Sequence, residues 1–196
     1  MILLLAVLAG LLVGLCLAYG CNRPYKAPDL KAIWLVGIAF LPQLIIAYMP
    51  ATRKLLNDGF ASLSLLVSLA LFFIFTWLNR RLPGMPVLMI GLLLNLVVIV
   101  ANGGWMPIST YTASLLTGKD VLQFMNLGGR FGEKDILLLA QNTRLEFLAD
   151  RFLLPAWLPY KVAFSLGDVL ISLGVFWLLV RPAIKLDSMN TKGAVI

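Results

Sequence analysis

One acidic side chain stands inside the apolar stretches of this sequence. Asp168 is the only Asp or Glu within the five apolar blocks of the chain. A charge at membrane depth is costly unless it faces a partner or a cavity. Two roles fit it. As a functional group it would carry a proton or bind a ligand, partnered by Asn95, Asn102 or an arginine such as Arg144. As a structural group it belongs to Ser165-Leu166-Gly167-Asp168, which has the S-x-x-D form of a capping box before an apolar run. Ser165 would then cap a helix, and the Asp168 charge would sit at the positive end of its dipole. Asn95 and Asn102, seven residues apart, share a face if one helix reaches both. The structural reading of Asn95 is a hydrogen bond to a neighbouring helix, worth about 1 kcal/mol or less.

Other chemistries lack their residues. The chain has no histidine, which removes the usual general base near neutral pH and the usual metal ligand. Its two cysteines, Cys16 and Cys21, have no second pair with which to complete a metal site, and both read as structural. No metal site, cofactor, phosphate loop or nucleophile motif is expected. The net charge of +7 comes from basic residues in twos and threes after apolar blocks, as in Asn79-Arg80-Arg81. This distribution argues against nucleic-acid binding.

The elements that must position Asp168 are apolar helices. Of 196 residues, 61% are apolar and 13% charged, against roughly half and a quarter in soluble domains. A bilayer core of about 30 Å calls for roughly 20 apolar helical residues. Stretches near this length run over 2–19, 32–49, 60–78, 86–101 and 162–180. The expected fold is all-α, a single membrane domain over 1–196 with about five spans and a partly helical outer segment at 102–161. The first stretch has no basic residues before it and reads as a retained helix, not a cleaved signal. It carries Ala6, Gly10, Gly14 and Ala18 at spacing four, a small-residue stripe that permits close approach of another helix.

Basic residues in the connections set the expected orientation. Arg23, Lys26, Lys31, Arg80, Arg81, Arg181, Lys185 and Lys192 fall on one side, and Arg53 and Lys54 on the other. The positive-inside rule then places the N-terminus outside and the C-terminus in the cytoplasm of a multi-pass inner-membrane protein. The outer segment, about sixty residues, is too long to be structureless. Within it, 143–154 reads as an amphipathic helix, with Trp157 and Tyr160 marking the membrane interface.

Three pieces of sequence resemble a family of small bacterial integral membrane proteins known as a domain of unknown function. They are the run from Asn95 through Asn102-Gly103-Gly104-Trp105-Met106-Pro107 to Ser109, then Asn142-Thr143-Arg144-Leu145 with Leu148-Ala149-Asp150 and Leu154-Pro155, and Phe164-Ser165-Leu166-Gly167-Asp168-Val169-Leu170-Ile171 through Gly174. The family often has a histidine before the Thr-Arg-Leu piece, which this chain lacks. The resemblance implies a bacterial plasma-membrane protein and no particular reaction. It draws attention to Asn102, Gly103, Gly104, Met106, Pro107, Arg144, Gly167 and Asp168, which match its motifs.

These residues meet at the outer face in the expected topology. A shared site there would use the Gly103 and Gly104 amides and Arg144 for an anionic group, with Asp168 orienting it or carrying a proton. The alternative is that they only cap two helices and dock the outer segment. Three functions follow. The first is a non-catalytic assembly or accessory component, joined to a second copy or a membrane protein partner. The second is an enzyme or lipid-handling protein binding an anionic headgroup or lipid-linked substrate at the outer face. The third is a small transporter or channel.

Overall fold

The structure is a computed structural model that describes residues 2–48, 58–132, 134–155, 157–158 and 161–190, without side chains at 43, 45–48 and 181–190. Among these residues five long helices pack side by side. They are α1 (Ile2–Gly20), α2 (Trp34–Tyr48), α3 (Asp58–Leu78), α4 (Met85–Ala101) and α6 (Leu166–Asn190), with the short α5 (Thr110–Thr117) inserted before the last. The lateral order is α1, α6, α4, α3, α2.

Local chemistry explains where the helices end. At the end of α1, Asn22 takes a left-handed conformation with φ 52°. Its amide donates to the Tyr19 carbonyl at 2.9 Å, and the Arg23 amide to the Ala18 carbonyl at 2.9 Å. These are the two bonds of a Schellman motif, which satisfies carbonyls that the helix leaves free. Helix α4 starts after Pro83-Gly84, with Gly84 at φ 85°. It stops at Asn102-Gly103-Gly104, where the Gly104 amide closes on the Ile99 carbonyl at 2.9 Å. Between α3 and α4, buried Asn79 exchanges two hydrogen bonds with the Lys31 backbone, at 2.8 and 2.9 Å. The connection before α2 is thereby tied to the same end of the molecule as the α3–α4 turn.

Glycine sets the closest helix contacts. Antiparallel α4 and α6 meet at Gly84 against Gly174 and at Gly91 against Gly167. A β-carbon built at Gly91 would lie 2.6 Å from the Gly167 carbonyl oxygen, and one at Gly174 would lie 2.7 Å from that of Gly84. Backbones this close have no room for a side chain at the seam. Helix α1 approaches α6 in parallel through its small-residue stripe. Gly10, Gly14 and Ala18 are its buried residues, while Leu4, Leu8, Leu12 and Leu15 stay exposed.

The segment between α4 and α6 is a small β-containing cap. Strand β1 (Met106–Ser109) runs parallel to β3 (Asp135–Leu138), and β2 (Arg130–Phe131) pairs antiparallel on the other side of β3. Helix α5 lies in the crossover between β1 and β3, and Ser109 caps it by accepting from the Thr112 amide at 3.0 Å. Two-residue strands β4 (Phe152–Leu153) and β5 (Ala163–Phe164) form a second sheet, with Phe152 stacked on Phe164. Ile108, Ala113, Val121 and Leu137 make the cap's own core. Met106 and Leu148 join Leu65, Val98 and Ile99, which fastens the cap to α3 and α4.

This architecture corrects the expected fold. The chain is not all-α, because the 102–161 segment contains strands in two sheets. Nor is it a bundle of five full spans. Only α1 and α3, of 19 and 21 residues, are long and apolar enough to cross a membrane among the described residues. Helix α2 has 15 residues and α4 has 17, roughly 22 and 26 Å at 1.5 Å per residue. The apolar part of α6, Leu166–Val180, is similarly short. For α2 and α6 the apolar blocks overestimated the helix, since Ala32 and Ile33 precede α2 and Ala163–Phe164 is strand β5, whereas the α4 block is helical throughout and is itself short. The helix expected over 143–154 is absent. Leu145 stands at φ 56°, Glu146–Leu148 is one 3-10 turn, and Phe152–Leu153 is a strand. Trp157 is exposed, and Tyr160 lies outside the described residues.

Candidate functional site

The α4–α6 seam creates the polar site directly. With no side chain at Gly167, the Asn95 side chain of α4 fits against the start of α6. There Ser165 and Asp168 form a capping box: the Asp168 amide donates to Ser165 Oγ at 3.0 Å, and the Ser165 amide to Asp168 Oδ2 at 3.3 Å. Asn95 bridges the pair, its Nδ2 donating to Asp168 Oδ1 at 2.8 Å while its Oδ1 accepts from Ser165 Oγ at 2.9 Å. Asn95 and Ser165 are buried. The same carboxylate therefore caps a helix and receives an interhelical hydrogen bond.

The cap brings the remaining charges to this point. Lys134, in the turn between β2 and β3, reaches Asp150 Oδ2 at 2.8 Å and Asp168 Oδ2 at 3.6 Å. Asp150 is held by its backbone, whose amide donates to the Pro107 carbonyl of β1 at 3.1 Å. Its side chain is fully buried, and its Oδ1 has no hydrogen-bond partner among the described residues. The side chains of Lys134 and Asp168 are 38% and 23% exposed. Burial acts most strongly on Lys134 and would lower its pKa, but Asp150, Asp168 and Asp135 together outweigh it and hold the ammonium above the ordinary lysine range. For Asp150, burial is the largest effect and pushes the carboxyl up. Lys134 opposes that push, and the negative charge of Asp168 adds to it.

Asn95, Lys134 and Asp168 of this cluster line a cavity of about 910 Å³, toward the upper end of the roughly 300–1,000 Å³ common for ligand pockets. Its walls are apolar and come from all five long helices, including Val7, Val36, Phe72, Leu92 and Val175. Lys134, Asp135, Lys161 and Asp168 are the ionisable residues among its lining, with Asn95 beside them. The arrangement pairs an oily chamber with a charged end.

The other expected site residues lie elsewhere and are occupied. Asn102 donates to the Val98 and Arg144 carbonyls at 2.8 and 2.9 Å and accepts from the Arg144 amide at 3.0 Å. The Arg144 guanidinium points to the Ala101 carbonyl at 3.5 Å, where a cation complements the end of the α4 dipole. The amides of Gly103 and Gly104 donate to the Val100 and Ile99 carbonyls, so neither is presented to an anion. A side chain at Gly104 would collide with Ser62, which accounts for glycine there. Asn95 and Asp168 thus come together, whereas Asn102, Gly103, Gly104 and Arg144 form a separate docking corner. Lys134 and Asp150 were not foreseen as site residues. Asp150 stood in a motif fragment, but nothing local marked Lys134 as its partner.

Fold and site together define a helical protein with an amphipathic chamber between its helices and a β-containing cap over the charged end. Residues 28–180 match the family of unknown function DUF5317, and the chain belongs to that family. Over 148 residues it is 34% identical to an uncharacterised protein of Thermotoga maritima, covering 74% of this chain and 72% of the relative. No solved structure matches it.

Proposed function

We propose that this is a membrane-embedded lipid-handling protein that holds an amphipathic molecule in the interhelical cavity, chain among the apolar walls and head at the Lys134–Asp168 end. The observation that carries this reading is the cavity, which joins apolar walls to ionisable groups at one end. An assembly role requires only packed surfaces and leaves such a chamber unexplained. The exposed leucines of α1 and the exposed Ile74 and Trp77 of α3 supply a lipid-facing surface on the two helices long enough to cross a bilayer. Arg23, Lys26, Lys31, Arg80 and Arg81 gather in the two connections tied together by Asn79, at the end away from Asp168. By the positive-inside rule that end is cytoplasmic and the charged site faces out.

The test is mass spectrometry of lipids retained by the chain after mild extraction from its membrane. Native protein is expected to carry bound lipid, and Val7→Trp, which fills the cavity from α1, to lose it while staying folded. Equal lipid on both proteins would sink the cavity as the binding site.

A further inference from the structure

The order of the helices gives the chamber an open side, and with it a route of entry, on the reading that it holds a lipid. Among the described residues α1 packs against α6 and α2 against α3, at the two ends of the lateral series α1, α6, α4, α3, α2. No comparable packing joins α1 to α2 among these residues. Yet both line the same cavity, α1 through Leu3 and Val7 and α2 through Val36 and Phe40. The series therefore curls into a ring that is not closed between its first and last members.

Helix α2 shows this edge residue by residue. Successive residues of a helix turn by roughly 100°, so Val36 and Phe40 share one face, with Leu35 and Ala39 to one side of it and Gly37 to the other. Leu35 and Ala39 are buried, and Leu35 shares a core with Phe75 of α3. Gly37 is exposed, and a β-carbon built there would meet nothing within 4 Å among the described residues. Ile33, just ahead of the helix, lines the cavity and is still 60% exposed. Pro42 lies inside α2 and cannot donate to the Ile38 carbonyl, which leaves this edge helix the less braced along its axis. Outside the edge the surface is apolar, with Leu4, Leu8, Trp34 and Ile38 exposed.

The shape of the cavity favours entry along this side. Its lining on α4 runs from Met85 to Ile99, about 21 Å of helix at 1.5 Å per residue. Threading an acyl chain into such a length from the charged end would carry it through water and past Lys134 and Asp168. Moving it sideways out of the bilayer exchanges one apolar surrounding for another, since lipid tails are as apolar as leucine.

We infer that the chamber loads and unloads laterally, taking the acyl chain of a bilayer lipid through the opening between α1 and α2, with Gly37 at its margin. The full chain is reconstituted in dioleoyl phosphatidylglycerol vesicles, whose lipid is then swapped by cyclodextrin for the chain-deuterated form. Native mass spectrometry follows the replacement of the bound lipid with time. Gly37→Trp, which sets an indole in the opening, should slow replacement about tenfold, the effect of about 1.4 kcal/mol on the entry barrier. Ile38→Trp, on the opposite face of α2, should exchange at the native rate. A block attached after folding gives the same test: in a Cys16→Ser, Cys21→Ser chain carrying Gly37→Cys, labelling with pyrene maleimide should slow exchange to a similar degree. Native-rate exchange in folded Gly37→Trp or in the labelled chain would overturn lateral loading and leave the cavity standing as a lipid site. Equal slowing by Ile38→Trp would overturn it too. A native chain that carries no lipid at any time would overturn the lipid-handling reading itself.

Discussion

Two polar corners of this protein use the same helix differently. At Asn95, α4 meets α6 so closely that an amide side chain takes the room left by Gly167, and its partners are the cap of α6 and a charge cluster at the cavity. At Asn102, one heptad on, the same residue type grips the Arg144 backbone and fastens the cap to the end of α4. The first corner offers Asp168 and Lys134 to a chamber, whereas the second spends its donors and acceptors on the chain itself. Shared spacing on a helix therefore says which residues lie near one face, not which of them meet a ligand.

The sharpest way to break this contrast is at Gly167. Gly167→Val drives a side chain into Asn95 and the Gly91 backbone, and should destabilise the protein by about 3 kcal/mol, as overpacking of a tight seam does. Thermal unfolding in detergent measures it, and a loss below that of Asn102→Ala would reverse the ranking of the two corners. Next is Asp150→Ala, which takes from Lys134 its shorter ion pair and leaves the longer contact to Asp168. A fully buried pair would lose more, but Lys134 is 38% exposed and partly screened by water, so about 2 kcal/mol is expected.

The pH dependence of stability sharpens the same point. With its pKa raised above 3.8, Asp150 binds more protons in the folded chain than in the unfolded one between 3.8 and that raised value. Stability should therefore fall as pH rises through this window, and Asp150→Asn should flatten the slope. Lys134, raised above 10.5, contributes stability that is complete below pH 10.5 and is lost on going higher through its folded pKa. Denaturant midpoints across pH test both, and an identical acid-side slope in Asp150→Asn would assign that slope to another group. The smallest effect is expected at the docking corner: Asn102→Ala removes side-chain hydrogen bonds at a half-buried position and should cost about 1 kcal/mol, with lipid retention unchanged. Lost retention in a folded Asn102→Ala protein would merge the two corners into one site.

Short-range features were legible from residue order alone. Apolar blocks locate α1, α3, α4 and much of α6, because a helix long enough to bury itself needs an unbroken run of such residues. The capping box at Ser165 and Asp168 is written in four consecutive residues, and both of its hydrogen bonds are made within that stretch. Strand β1 was not legible. It has four residues, three of them buried, so no alternation of polar and apolar positions announces it.

What only the tertiary structure decided is the company each residue keeps. Gly84 and Gly91 become a seam only when α4 lies antiparallel to α6 with Gly174 and Gly167 opposite them. Lys134 becomes part of the site because the β2–β3 turn carries it to Asp150, 16 positions on, and to Asp168. The cavity is lined by residues from the cap and from α6 that are far apart along the chain, such as Lys134 and Asp168. The physical reason is range. Helix formation and capping rest on neighbours within a turn, which order along the chain encodes, whereas ion pairs and cavities depend on distances in space that arise once the helices and the cap have packed.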